Sequence, residues 1–456
     1  MIKTDLTYLE NDLTEVVNLF EEAENLNIRH IYSRGENKVV NTLVFGGKSF
    51  AYGNLVKDSL DPVVQKRLIK RYAKLSLYKA LSAYYDVQKP WGALTGIRPT
   101  KLAYQAIEEG LSVKDFFINT LKVSEKKTEL IESIINSQKG IYTTQGNLTD
   151  FFVFIPFCPS RCRYCSFITA DVKSAEKKVD EYVEVLIKEI NQSKKFIKNL
   201  RSIYIGGGTP VALSDEQFNK VLSSLDQLSG GVEYTVEAGR PDRITKEKVD
   251  LMQKHGVTRV CLNPQTFNDK TLELIGRKHT SNDICSAHEL LRGKFKINMD
   301  LIAGLDGESF EDFKYSLDRA ISFNPENVTV HTLCIKKGSN LAQGVNRLFH
   351  KDVEKMIDYS HEALINSGYL PYYTYRQKYM ASNLENTGYA KKGTECVYNI
   401  DVMEEISDNV ACGAGSISKK VFLNENRIER QANPKDVNTY ISKIDKILAE
   451  KQEIFS

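Results

Sequence analysis

From Phe151 onward, short β-branched or aromatic runs alternate with polar, helix-period stretches, and the alternation repeats. The runs fall near 151–156, 201–206, 233–238, 257–262, 296–302 and 327–333. Ser214 with Gln217, and Ser309 with Asp312, have the spacing of capping boxes, so helices are predicted to start there. Six β-then-α units in a row predict a parallel sheet joined by right-handed crossovers. Six is fewer than the eight of a closed barrel, so the expected α/β fold is an open, partial (β/α)6 barrel. In such sheets reactive groups gather beyond the carboxyl ends of the strands.

The rhythm differs on either side. Up to about Gln145 the pattern is that of a separate α/β region, in which Asp61 followed by Pro62 marks the start of a helix running through Val64, Leu68, Leu75 and Leu81. Lys66, Arg67, Lys70, Arg71 and Lys74 form a basic stripe on it, read as a solvated face, with an anionic partner as the alternative. A turn-rich connection, PWGALTGIRPT (90–100), then leads into helical pattern up to about Ser137. Beyond about Gly338 the alternation stops. Helical stretches near 351–367 and 435–452 flank a Tyr- and Gly-rich segment, PYYTYRQKYMASNLENTGYAKKG, and then ACGAGSIS. The expected domains are an N-terminal α/β region (1–147), the core (148–337) and a C-terminal α+β cap (338–456).

Composition narrows the function classes. At roughly 150 residues per domain, 456 residues suggest about three domains. Lys+Arg 62 against Asp+Glu 59 leaves +3, so no global field marks a nucleic-acid or membrane-surface binder. The most apolar stretch, Phe151 to Phe157, is far shorter than the ~20 residues of a membrane span. The start, MIKTDLTYLENDL, lacks the features of a targeting peptide, so a cytoplasmic location is expected.

Eight cysteines are too few for a disulfide framework. Three of them, Cys158, Cys162 and Cys165, form a C-x3-C-x2-C cluster, which chance would produce only about 0.002 times in such a chain. They follow the first core strand directly. Cubane iron–sulfur clusters usually take one cysteine per iron, so three thiolates would leave one iron open for a ligand. A structural zinc site completed from a distance is the alternative, although no second cysteine pair supports it.

Other strand ends carry polar groups too. Gly206-Gly207-Gly208-Thr209-Pro210 ends the second strand, where glycines let backbone N–H groups approach a ligand. Glu237 closes the third strand and Gln265 the fourth; Arg277 follows twelve residues later, and Asp300 lies in the fifth. Together they supply two carboxylates, an amide and a guanidinium, a set that can hydrogen-bond a ribose, an adenine edge, a carboxylate and an ammonium.

The cysteine motif at this place in a (β/α)6 partial barrel resembles the radical S-adenosylmethionine (SAM) superfamily. FIPFC, CRYC, GGGTP, the Gln265-to-Arg277 interval and MDLIAGL resemble the oxygen-independent coproporphyrinogen III oxidases, also called coproporphyrinogen dehydrogenases. VEAGRPD, CLNPQTFN, VTVHTLCIKKGS, the Tyr-rich block and PWGALTGIRPTKL are most similar to the HemZ-type branch. The resemblance implies a 4Fe-4S cluster on Cys158, Cys162 and Cys165, with SAM on its open iron. It further implies SAM contacts from Tyr164, Gly207, Gly208, Thr209, Glu237, Gln265, Arg277, Asp300 and Thr332.

The implied reaction removes a hydrogen from the β-carbon of a coproporphyrinogen III propionate. Loss of CO2 and of one more electron then leaves a vinyl group, and two rounds give protoporphyrinogen IX in anaerobic haem biosynthesis. The implied partners are a tetrapyrrole substrate and an external electron donor such as a flavodoxin or ferredoxin. Tyr372, Tyr373, Tyr375, Arg376, Lys378 and Tyr379 offer aromatic faces and cations for a tetrapyrrole, or else line a core.

The chain departs from the oxidase pattern at Phe152 and Phe154, where a Y-V-H-I-P-F-C run has Tyr and His. It departs again at Phe167, where a fourth cysteine is expected. These losses bear on the oxidase activity more than on SAM cleavage. The other readings are a haem-binding chaperone, with His331 and His279 as candidate axial ligands, and a radical enzyme acting on another tetrapyrrole.

Overall fold

The computed structural model describes residues 1–58, 60–165, 170–172, 176–334, 352–377, 380–425 and 427–456. Phe167, Lys378, Tyr379 and the expected domain boundary near 338 lie outside the described residues. The chain divides into two compact units, one formed by Met1–Ile97 with Leu102–Glu132 and the other by Arg98–Lys101 with Ser133–Ser456.

In the first unit, β1 (Ile2–Thr4), β2 (Ile28–Gly35), β3 (Lys38–Phe45) and β4 (Lys48–Leu55) form a sheet in that order, parallel only between β1 and β2. Val39, Leu43 and Phe45 of β3 face a core shared with Leu77 and Leu81 of the helix Pro62–Tyr85. The Asp61 carboxylate caps that helix by accepting from the N–H groups of Val63 and Val64 at 2.8 and 3.3 Å. The basic stripe is engaged locally: Lys70 pairs with Asp12 and Arg67 with Glu109, while Lys66 and Arg71 each lie 5.0 Å from an aromatic ring centre, Tyr8 and Phe116.

Among the described residues, the second unit is built on an 11-stranded sheet. Its parallel heart is β5 (Leu148–Ile155), β8 (Asn199–Gly207), β9 (Glu233–Val236), β10 (Arg259–Cys261), β11 (Lys296–Ala303) and β12 (Asn327–Thr332), in sequence order across the sheet. The short β6 (Phe157–Cys158) and β7 (Ala170–Asp171) pair separately. These are the six expected strands, and the capping boxes at Ser214 and Ser309 both form, with a third at Thr280. One face of the sheet packs under the crossover helices in a continuous core that includes Phe151, Val153, Ile203, Ile205, Val260 and Met299.

The C-terminal segment extends this sheet at both edges. β13 (Leu370–Tyr375) and β14 (Asn386–Ala390) add antiparallel strands beside β12. At the other edge β15 (Asp408–Cys412) lies parallel to β5 and is followed by the antiparallel β16 (Ile417–Phe422) and β17 (Arg427–Ala432). The parallel run therefore has a seventh strand, contributed from beyond the alternating region. The tight exit from β15 uses Gly413 at φ +104°, where an added Cβ would lie 2.3 Å from the Phe154 carbonyl oxygen. Among the described residues, no helix is long and apolar enough to cross a membrane.

Candidate active site

A cavity of about 440 Å³ opens at the carboxyl ends of the parallel strands. All twelve residues singled out from the sequence line it: Cys158, Cys162, Cys165, Tyr164, Gly207, Gly208, Thr209, Glu237, Gln265, Arg277, Asp300 and Thr332.

The cysteine loop is fixed by backbone bonds to the next strand end. Gly208 N–H donates to the Ile155 carbonyl at 2.7 Å and Thr209 N–H to the Phe157 carbonyl at 2.8 Å. The Thr209 hydroxyl donates to Cys158 Sγ at 3.4 Å. On its far side the loop docks onto the turn before Arg277. Arg163 N–H donates to the Ile275 carbonyl at 3.0 Å, and Ser160 donates to the Gly276 carbonyl at 3.3 Å. Cys165 N–H closes the loop on the Cys162 carbonyl at 3.1 Å.

Arg277 is buried and donates to the Asn263 and Gly239 carbonyls at 2.6 and 3.2 Å. Burial opposes its charge, but the Tyr164 phenol and the Cys162 thiol beside it outweigh that and raise its pKa. Burial likewise pushes the Tyr164 phenol up, so it stays protonated. Arg277 thus sets a fixed positive charge beside Cys162.

Gln265 adopts φ +71°, a left-handed conformation uncommon for a non-glycine residue. It is held there on both sides, since its N–H donates to the Asp300 carbonyl at 2.8 Å and its carbonyl accepts from Ile302 at 3.0 Å. Strain maintained by its surroundings in this way is typical of ligand clamps. Thr332 is more committed: its hydroxyl donates to the Glu385 carbonyl at 2.7 Å and its N–H to Asn386 Oδ1 at 2.7 Å.

Two carboxylates face the interior. Glu237 accepts from the Tyr204 hydroxyl and, at 2.9 Å, from Asn263 Nδ2. Asp300 accepts from Asn298 Nδ2 at 2.7 Å and lies 3.4 Å from His331 Nε2. Burial, and then the charge of Asp300, push Glu237 up to about 7. Because the folded state holds this proton more tightly than the unfolded chain, Glu237 lowers stability progressively as pH rises from about 4.5 to about 7. Glu237→Gln is therefore expected to flatten the fall in melting temperature over that range, read from thermal melts at pH 5 and 7.5. An unchanged slope would contradict the assignment.

Tyr204, Cys261, Asn263, Asn298 and Arg240 also line the cavity, although the sequence reading passed over them. A signal was present: Asn263 and Asn298 stand two residues before Gln265 and Asp300, and alternate strand positions share a face. Of the two candidate haem-ligating histidines, His331 lines the cavity, whereas His279 is fully buried away from it. Burial, with Arg277 and Arg240 nearby, lowers His279 to about 3 and keeps it neutral. Tyr372, Tyr373 and Tyr375 line the cavity and are also packed into the core, so the two readings of that segment coincide; Arg376 instead turns to the Asn383 carbonyl. Phe152 and Phe154 stand on the same wall, where the oxidase pattern has polar groups.

The residues fit the expected cofactors. Three thiols share one mouth, and the lining includes buried polar atoms with no protein partner: Asn263 Oδ1, Arg277 Nε and Arg240 Nη2. Buried polar atoms are nearly always hydrogen-bonded, so an acceptor and two donors left open here suit a polar, zwitterionic ligand. Among the described residues, no three His, Cys, Asp or Glu side chains are grouped to hold a single metal ion. A cluster with one thiolate per iron does not require that.

Residues 152–320 match the Radical SAM superfamily. The chain is 34% identical over 391 residues to the oxygen-independent coproporphyrinogen-III oxidase-like protein HemZ of Bacillus subtilis, covering 81% of this chain and 78% of that one. It is 35% identical over 193 residues to the haem chaperone HemW of the same organism, covering 41% of this chain and 50% of that one. Among solved structures it is similar to the coproporphyrinogen III oxidase HemN of Escherichia coli, with a TM-score of 0.54 and 20% identity over 68% of this chain and 71% of that one.

Proposed function

Because the chain belongs to the radical SAM superfamily, in the HemZ-type branch of the oxygen-independent coproporphyrinogen III oxidase family, we propose that it oxidatively decarboxylates coproporphyrinogen III propionates to vinyl groups. The observation that carries this reading is the single cavity on which the cysteine motif, the SAM-contact candidates and the wall of Tyr372, Tyr373 and Tyr375 meet. The family's cofactors are a 4Fe-4S cluster and SAM, which when bound supply a 5′-deoxyadenosyl radical for hydrogen abstraction.

In this reading Cys158, Cys162 and Cys165 hold the cluster, and Thr209 and Arg277 stabilise their thiolates. Gly207, Gly208, Glu237, Gln265, Asp300, Tyr164 and Thr332 hold SAM. The tyrosine wall excludes water and presents aromatic faces to the tetrapyrrole. The cations lining the cavity among the described residues are Arg240, Arg259 and Arg277, and Arg259 is already paired with Glu233 at 3.0 Å. Only part of a tetracarboxylate can therefore be gripped inside. The electron comes from an external carrier such as a flavodoxin or ferredoxin.

A haem chaperone is the second reading, favoured by the likeness to HemW and by His331 on the cavity wall. One experiment separates the two. The reconstituted protein, kept anaerobic with SAM, a reductant and coproporphyrinogen III, is expected to yield protoporphyrinogen together with 5′-deoxyadenosine. Deoxyadenosine without decarboxylated product overturns the oxidase reading. Stoichiometric haem binding that His331→Ala weakens, with neither product formed, establishes the chaperone.

A further inference from the structure

Cys261 lies outside the cysteine motif, yet it lines the same cavity. It ends β10 at the level of Glu237 on the neighbouring strand, since Val260 pairs with Val236. Its sulfur is 4.0 Å from the Tyr204 hydroxyl, which in turn bonds to Glu237. Asn263, buried and holding the other Glu237 oxygen, lines the cavity and leaves its own Oδ1 without a protein partner, so this wall is built to meet a ligand. Burial, with the charges of Glu237 and Asp300, keeps the Cys261 thiol protonated. A neutral S–H on this wall is a hydrogen-atom source, because the S–H bond is weaker than most C–H bonds.

Resting on the reading that carbon radicals form in this cavity, we propose that Cys261 and Tyr204 form a discharge route that quenches a radical no substrate has consumed. The C–H bond forms as the Cys261 S–H bond breaks, leaving a thiyl radical. Tyr204 returns a hydrogen atom to sulfur and becomes a phenoxyl radical. One electron from the reductant that serves the cluster restores the phenol, with a proton taken up from water by way of Glu237.

Cys396 and Cys334 also line the cavity but are placed differently. Cys396 donates to Glu233 Oε1 at 3.1 Å, and Cys334 pairs through its backbone with Met380. They are the natural controls.

The test uses the reconstituted protein with SAM and dithionite in D2O and no tetrapyrrole. The thiol exchanges to S–D, so wild type is expected to give singly deuterated 5′-deoxyadenosine by mass spectrometry. Frozen samples should show a phenoxyl signal by electron paramagnetic resonance. Cys261→Ala and Cys261→Ser should reduce both the label and the phenoxyl signal to background, whereas Cys396→Ala and Cys334→Ala should keep them. Tyr204→Phe should lose the phenoxyl signal and hold labelled product to about one equivalent per protein, because nothing then restores the thiol. Undiminished label in both Cys261 variants overturns the discharge route alone, whereas wild type forming no deoxyadenosine overturns the radical reading with it.

Discussion

Cys162→Ala is expected to abolish cluster-dependent chemistry. Cys162 is the most buried of the three motif thiols, and Arg277 stands beside it. On the proposed assignment, removing it takes away one of three thiolate ligands of the cluster, and with it the sulfur beside the buried Arg277 guanidinium. Loss of an outer-shell partner of a metal ligand typically costs 10–100-fold, so loss of the ligand itself should reduce deoxyadenosine formation by more than about 100-fold. Bound iron and the visible absorbance of the reconstituted protein should fall with it. The circular dichroism spectrum should stay unchanged, because the loop's bonds to the Ile275 and Gly276 carbonyls, from Arg163 N–H and the Ser160 hydroxyl, do not use the thiol. Turnover and iron content at wild-type levels would refute the cluster assignment. Thr209→Val provides the graded comparison: it removes only the hydrogen bond to Cys158 Sγ, so a 10–100-fold loss is expected.

The parallel sheet was legible because its strands are short runs of Val, Ile, Phe and Tyr set between caps, and burial on both faces demands that pattern. The twelve candidate residues were legible as a group because they stand where those strands end, around one cavity. β15 was hidden for the converse reason. Its five residues, Asp408 to Cys412, carry no alternation, and its place beside β5 is set by long-range pairing that local pattern does not encode. The helical stretch expected over 435–452 is two helices, Val437–Ser442 and Ile444–Phe455, interrupted where Lys443 leaves helical geometry at φ −110°, ψ 15°. Nor could periodicity reveal that Gln265 is left-handed, because an amide side chain gives no sign of the conformation its neighbours impose. The partners of Glu237 illustrate the same limit. Tyr204 and Asn263 share its face by strand parity, but which of them touch it depends on the register of three strands.

Gly208→Ala tests how closely the second strand end must approach the cysteine loop. An added Cβ would lie 2.5 Å from the Phe157 carbonyl oxygen, 2.9 Å from that of Ile155 and 3.0 Å from Cys158 Sγ. Two of these three atoms are backbone, and the Ile155 oxygen already accepts the Gly208 N–H, so neither can retreat without breaking the ladder that positions Cys158. Overpacking of this kind costs about 1–3 kcal/mol, enough to lower the melting temperature measurably. The functional effect should exceed the stability effect, because the side chain pushes directly on Cys158, a cluster ligand in the proposed reading. Iron content after reconstitution and the affinity for SAM should both fall, even at temperatures where the variant is fully folded. Gly230→Ala is the matched control, with no atom within 4 Å of the new Cβ, and should melt and reconstitute like wild type. If Gly208→Ala binds iron and SAM normally, the close approach is packing alone, and the glycine turn has no part in holding the ligand.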